Sequence, residues 1–226
     1  MIAEINVFAV LGNIMYGVLA AIALWGGFCV VMVLMRISQK KFKSEAAQAD
    51  FLDSLADPLA QGDFESAAVM CEGDPRALSQ LASLAIANRQ LPFAKLKQLL
   101  VDRFQRDVLA DLEYRLSWVN TVIKSAPMVG LLGTVMGMMG AFAKLSAGGS
   151  SVDPSQLAND ISFALITTAC GLTIAIPLLI TMAYINVQIS RMEDLVAAGL
   201  SHFLDVFKEA TSQGGAKRAP AQGVAG

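Results

Sequence analysis

Three features of the sequence predict an all-α membrane protein: three transmembrane helices, with long helices extending into a cytoplasmic helical region. Only 16 % of the 226 residues are charged and 55 % are hydrophobic, against a usual charged share of about a quarter. Mean hydropathy is +0.55. Charge is absent from three runs, Ile5–Met35, Ser125–Ala143 and Ile161–Ser190, of 31, 19 and 30 residues, and about 20 apolar residues cross a bilayer.

The elements follow in order. Residues 1–13 read as a short N-terminal segment outside the membrane and 14–35 as transmembrane helix 1. This first run carries Glu4, has no basic segment before it and is about twice the length of a signal-peptide core, so a retained helix is expected. Residues 36–122 form the cytoplasmic helical region, in which apolar residues recur with helical spacing. Within it Asp63 is placed to cap a helix over Phe64–Cys71. Asp74-Pro75, a cap followed by a first-turn proline, predicts another over Arg76–Asn88. Beyond Pro92 no Pro or Gly occurs up to Lys124, while Phe93, Leu96, Leu100, Phe104, Val108, Leu112 and Leu116 recur at threes and fours. That amphipathic helix is expected to run straight into transmembrane helix 2 at 123–145. An outside loop at 146–160 leads to transmembrane helix 3 at 161–187. Residues 188–211 form a cytoplasmic amphipathic helix carried by Met192, Leu195, Val196, Leu200, Phe203, Leu204 and Phe207, which most simply packs against the first amphipathic helix. The Gly/Ala-rich tail 212–226 reads as disordered.

Orientation comes from the basic residues. Arg36, Lys40, Lys41 and Lys43 crowd the exit of the first span, and Arg191 follows the third. The positive-inside rule then places the N-terminus and the 146–160 loop outside, with the middle segment and the C-terminus in the cytoplasm. Lys144 falls on the wrong side and is expected to snorkel from its helix end.

Several function classes are excluded. A net charge of −2 argues against nucleic acid as a partner. His202 is the single histidine, and Cys29, Cys71 and Cys170 are far apart. No metal site, cofactor or catalytic constellation is therefore expected, and the chain does not read as an enzyme.

The chemistry lies in the second and third spans. Ala126, Gly130, Gly133, Gly137 and Gly140 fall at steps of three and four, leaving one helical face almost bare; Thr134 borders it. In the third span Ala164, Thr168, Gly171 and Ala175 make a matching stripe, with Thr167 beside it and Pro177 below. Two readings fit. The stripes are close-packing surfaces of the small-xxx-small kind, or they line a narrow hydrated path to which Thr134, Thr167 and Thr168 offer hydroxyls. No Asp, Glu, Lys, Arg or His lies inside the three spans. A proton path normally needs such a group within the membrane, so if the stripes line one, a partner must supply the carboxylate.

The runs Ala126-Pro127-x-x-Gly130-Leu131-Leu132-Gly133-Thr134-Val135-x-Gly137 and Ala164-Leu165-Ile166-Thr167-Thr168-Ala169-x-Gly171-Leu172-x-x-Ala175-Ile176-Pro177 resemble the MotA/TolQ/ExbB proton-channel family, and the three-span layout resembles its ExbB/TolQ branch. The resemblance implies a homopentamer around ExbD/TolR-like single-span subunits that supply a membrane aspartate, with a TonB/TolA-like periplasm-spanning protein as a further partner. It implies a subunit coupling the proton motive force to mechanical work, in TonB-linked transport or Tol-type envelope maintenance, with Thr134 and Thr168 facing the partner's aspartate. The sequence departs from the family at Phe163, where ExbB and TolQ carry a glutamate; proton handling then falls more heavily on the partner. The rival reading is a non-conducting membrane scaffold for a single-span partner.

Overall fold

A computed structural model describes residues 7–147 and 154–217. Parts of three expected segments lie outside the described residues: 1–6 of the N-terminus, 148–153 of the loop and 218–226 of the tail. The described residues form helices and turns and contain no strand. In chain order these are α1 (Val7–Lys40), α2 (Glu45–Gln61), α3 (Phe64–Cys71), α4 (Ala77–Ala87), α5 (Phe93–Phe104), a π-helical turn (Gln105–Leu109), α6 (Ala110–Ala147) and α7 (Pro154–Lys217). Three stretches are long and apolar enough to cross a membrane: Ile14–Lys40, Phe93–Ser146 and Leu157–Thr211. The fold is that of an all-α membrane protein.

The chain divides into two compact units, one of Met1–Val33 with Tyr114–Asn186, the other of Leu34–Glu113 with Val187–Gly226. The first unit is a three-helix packing of α1, α6 and α7. Its outer surface is apolar: Leu24, Met128 and Ile180 are 78 %, 70 % and 66 % exposed. In water such a surface would be a sticky patch; against lipid tails it is the ordinary one. Inside, Val33, Val119, Ala126, Ala164 and Ile185 are fully buried. Gly26 lets α1 approach its neighbours: a Cβ there would lie 2.8 Å from Val122 Cγ1 and 2.9 Å from Leu178 Cδ1. Tyr16 of α1 meets Phe163 of α7 edge-on, ring centres 4.9 Å apart.

The second unit is a small helical bundle with local signals at its corners. Ser44 caps α2 by accepting from Ala47 N–H, and α2 ends at Gly62 with φ +77°, a left-handed turn that suits a residue without Cβ. Asp63 accepts from Ser66 N–H and starts α3 over Phe64–Cys71, the span its position predicts. This cap holds its carboxyl below the ordinary carboxylate value. Asp74 acts differently from expectation. Its Oδ1 accepts from Arg76 N–H at 3.0 Å and Arg76 Nε–H at 2.9 Å, leaving Arg76 extended so that α4 begins only at Ala77. The Arg76 guanidinium then lies 4.1 Å from the centre of the Phe42 ring.

Helix α4 is the central one, with Ala77, Leu78, Ser79, Leu81, Ala82, Ala85 and Ile86 all buried. The C-terminal part of α7 lays Met192, Val196, Leu200, Phe203, Leu204 and Phe207 into the same core. Its neighbours are broader than the single helix expected for it. Gln48 Nε2 of α2 donates to Leu195 O at 2.7 Å, Phe64 of α3 meets Phe207, Leu78 of α4 faces Gly199, and Phe93 of α5 takes Lys208 over its ring.

The helix from Phe93 does continue into the second span, but through the π-turn. Leu96, Leu100, Val108, Leu112 and Leu116 are all buried, and with Phe104 they step by four throughout. On a regular helix each such step drifts about 40° around the axis. A turn wider than α takes up part of that drift and keeps the apolar stripe inward.

Candidate functional site

The small-residue stripes of α6 and α7 meet each other within the first unit, antiparallel. A Cβ on Gly130 would lie 2.8 Å from Thr167 O and 3.0 Å from Thr168 Cα; one on Gly133 would lie 2.5 Å from Thr167 Oγ1; one on Gly137 would lie 2.6 Å from Ala164 Cβ. From the other side, a Cβ on Gly171 would lie 2.6 Å from Ala126 O. Gly140 and Ala175 are buried, whereas Pro177 is exposed. The two backbones approach so closely because these positions carry no side chain, or only a methyl group.

Close approach brings one carbonyl, Gly130 O, within reach of three hydroxyls. The Thr134 hydroxyl lies 3.2 Å from it on its own helix, and those of Thr167 and Thr168 lie 3.1 Å from it across from α7. Thr167 has a second acceptor, Ala164 O at 2.7 Å, and is 1 % exposed. Thr134 and Thr168 stand at the accessible edge, and their hydroxyls touch each other. A carbonyl oxygen has two lone pairs and each hydroxyl one proton. The pair therefore has two arrangements: Thr134 donates to Thr168, which donates to Gly130 O, or the order is reversed. Turning both hydroxyls interchanges them.

The sequence-predicted site residues Thr134, Thr167 and Thr168 thus come together around one acceptor. Phe163 lies one turn away against Tyr16 and adds no titratable group. Among the described residues no group of three His, Cys, Asp or Glu side chains is placed to hold a metal ion.

One feature escaped the sequence reading. Lys144, expected to snorkel, donates to Asp160 Oδ2 at 2.6 Å. The signal was present as two opposite charges, each bounding an uncharged run at the joined ends of two spans.

Residues 79–198, more than half of the chain and including both stripes, match the model of the MotA/TolQ/ExbB proton channel family. The chain belongs to that family. Its relatives place it in the ExbB/TolQ branch. A Synechocystis protein named biopolymer transport protein ExbB-like 1 is 42 % identical over 84 residues, covering 36 % of this chain and 33 % of the relative. ExbB-like 2 of Helicobacter pylori is 36 % identical over 115 residues, covering 50 % and 73 %. The Tol-Pal system protein TolQ of Haemophilus influenzae is 34 % identical over 99 residues, covering 44 % and 41 %. The chain therefore spans about a third of the Synechocystis relative's length and under half of TolQ's. As a family member with three spanning helices, it is a multi-pass membrane protein.

Proposed function

We propose that this chain is the proton-channel subunit of an inner-membrane motor that turns the proton motive force into mechanical work, in TonB-linked transport or Tol-type envelope maintenance. In this reading five copies surround ExbD/TolR-like single-span subunits, and a TonB/TolA-like protein carries the work into the periplasm. The observation that carries the reading is the Thr134–Thr168 hydroxyl pair at the open edge of an otherwise sealed helix contact. The three spans hold no carboxylate of their own between the charges that bound them, so the partner's membrane aspartate stores the proton and the hydroxyls pass it. No covalent chemistry is involved.

The scaffold reading draws on a specific observation too. The glycine faces are spent on packing α6 against α7, and among the described residues every buried side-chain polar atom has a hydrogen-bond partner. The two readings separate in one experiment. The chain, purified with its single-span partner and reconstituted into liposomes, is given a membrane potential while a pH-sensitive dye reports lumenal acidity. A motor subunit admits protons; a scaffold leaves the lumenal pH unchanged.

A further inference from the structure

The antiparallel register that pairs Gly171 with Gly130, Thr167 with Gly133 and Ala164 with Gly137 ends at Asp160 and Lys144. Asp160 belongs to this contact and not to a dangling loop: its carbonyl lies 3.6 Å from where a Gly137 Cβ would be. Its carboxylate accepts from Lys144 at 2.6 Å, and the two side chains keep 29 % and 40 % of their surface open. Eight residues along α7 separate it from Thr168, about 12 Å of helix.

Among the described residues of this unit Asp160 is the only carboxylate. Of the helices packed with α7, α6 contributes Lys144, and α1 sets the Tyr16 ring on Phe163, three residues further along. Arg115 and Lys124, the other described charges of the unit, lie toward the opposite end of α6. A tether between two helices needs no charge, and this pair is already held by bare glycine faces and three hydroxyls. Taking two charges partly out of water has a desolvation cost that a neutral contact avoids. A charged pair kept at the open end of the hydroxyl-bearing contact calls for another role.

We infer that Asp160 is the proton-accepting group at the loop-side mouth of the hydroxyl path, with Lys144 as its counter-ion; this rests on the channel reading above. A proton carried by hydronium bonds to an Asp160 oxygen and leaves water behind, which loosens the ion pair. That O–H bond then breaks as the proton passes to intervening water and on to the Thr134–Thr168 pair, where one oxygen gains a proton as the other gives one up to the partner's membrane aspartate. The carboxylate is restored and the pair re-forms.

The test uses the complex co-purified with its single-span partner in the liposome assay. Asp160→Asn should cut proton flux on the order of a hundredfold, the scale of a lost acid–base group, while Asp160→Glu keeps most of it. The double variant Asp160→Asn with Lys144→Gln keeps a hydrogen-bonded pair and leaves no charge unpaired. It decides the matter even if Asp160→Asn alone fails to assemble. Lost flux in the assembled double variant upholds the assignment; wild-type flux overturns it and leaves a tether. Thr168→Val is measured alongside. A dead Thr168→Val beside a conducting double variant sinks the Asp160 assignment alone, normal flux in both sinks the hydroxyl path with it, and a wild-type complex that admits no protons sinks the channel reading itself.

Discussion

Thr168 gives its hydroxyl proton across to Gly130 O on α6, whereas Thr173 and Thr181 bond back four residues along their own helix, to Ala169 O and Pro177 O. A back-bonded threonine satisfies itself and is a common feature of buried helices. One that bonds across and touches a second hydroxyl has a neighbour to exchange with. Thr168→Val removes the hydroxyl and keeps the shape, at a stability cost of about 0.6–1.7 kcal/mol, the range for an interhelical hydrogen bond in a membrane. We therefore expect Thr168→Val to abolish flux in complexes that still assemble, and Thr134→Val to weaken it. Thr181→Val should conduct as the wild type does. Intact flux in both Thr134→Val and Thr168→Val would mean that the partner's carboxylate works through water alone. The sequence placed these threonines on the right faces by counting threes and fours. It could not show that Thr167 would be sealed while its neighbour stayed open, because a shift of one residue turns a side chain by about 100° and only the packed helix fixes which lies inside.

At the scale of elements, the glycines divide by what a methyl group would strike. A Cβ on Gly171 would meet only backbone, Ala126 O at 2.6 Å and Ala126 C at 3.2 Å, so α6 and α7 must part to admit it. On Gly26 it would meet the tips of Val122 and Leu178, which can turn aside, and on Gly27 nothing within 4 Å. Gly171→Ala should destabilise by about 1–3 kcal/mol, the cost of overpacking, Gly26→Ala by less, and Gly27→Ala not measurably. Thermal unfolding of the detergent-solubilised complex gives this order; equal melting for Gly171→Ala and Gly27→Ala would contradict the packing. In the other unit, burial raises the Asp74 carboxyl, but the hydrogen bonds and charge of Arg76 outweigh it and leave the group below its ordinary 3.8. The sign follows: this contribution is present above the unfolded value and fades as pH falls through the lower, folded one. Asp74→Asn should flatten the loss of helical signal on acidification below about pH 4. Caps such as Asp63 were legible because a side chain and the N–H it serves are three residues apart. The π-turn was not, since its cause is the drift of a four-residue stripe that only tertiary burial holds inward, and neither was the Lys144–Asp160 pair, whose members meet only once the register of two helices is set.

For the molecule as a whole, the proposed topology rests on charge alone and can be tested without knowing the energised process. Arg36, Lys40, Lys41 and Lys43 follow α1's apolar run within eight residues, and such clusters stay on the cytoplasmic side. Lys144 is the one basic residue at the opposite end, and its pairing with Asp160 cancels the charge that would otherwise oppose this orientation. A cysteine replacing Ser151, in the segment joining α6 to α7, should react with a membrane-impermeant thiol reagent added to intact cells. The cytoplasmic reporter needs an exposed position. Ala67 is fully buried in α3, while Ser66 beside it is exposed, so Ser66→Cys is the variant to make. It should stay unlabelled until the membrane is opened. Cys29, Cys71 and Cys170 are replaced by alanine or serine beforehand so that the signal belongs to the reporter. Labelling of Ser66→Cys in intact cells, with Ser151→Cys protected, would invert the assignment and move the loop-side mouth at Asp160 to the cytoplasm. Proton flow would then enter past the glycine faces before reaching that carboxylate, and Asp160 would be the group that releases protons to the cytoplasm.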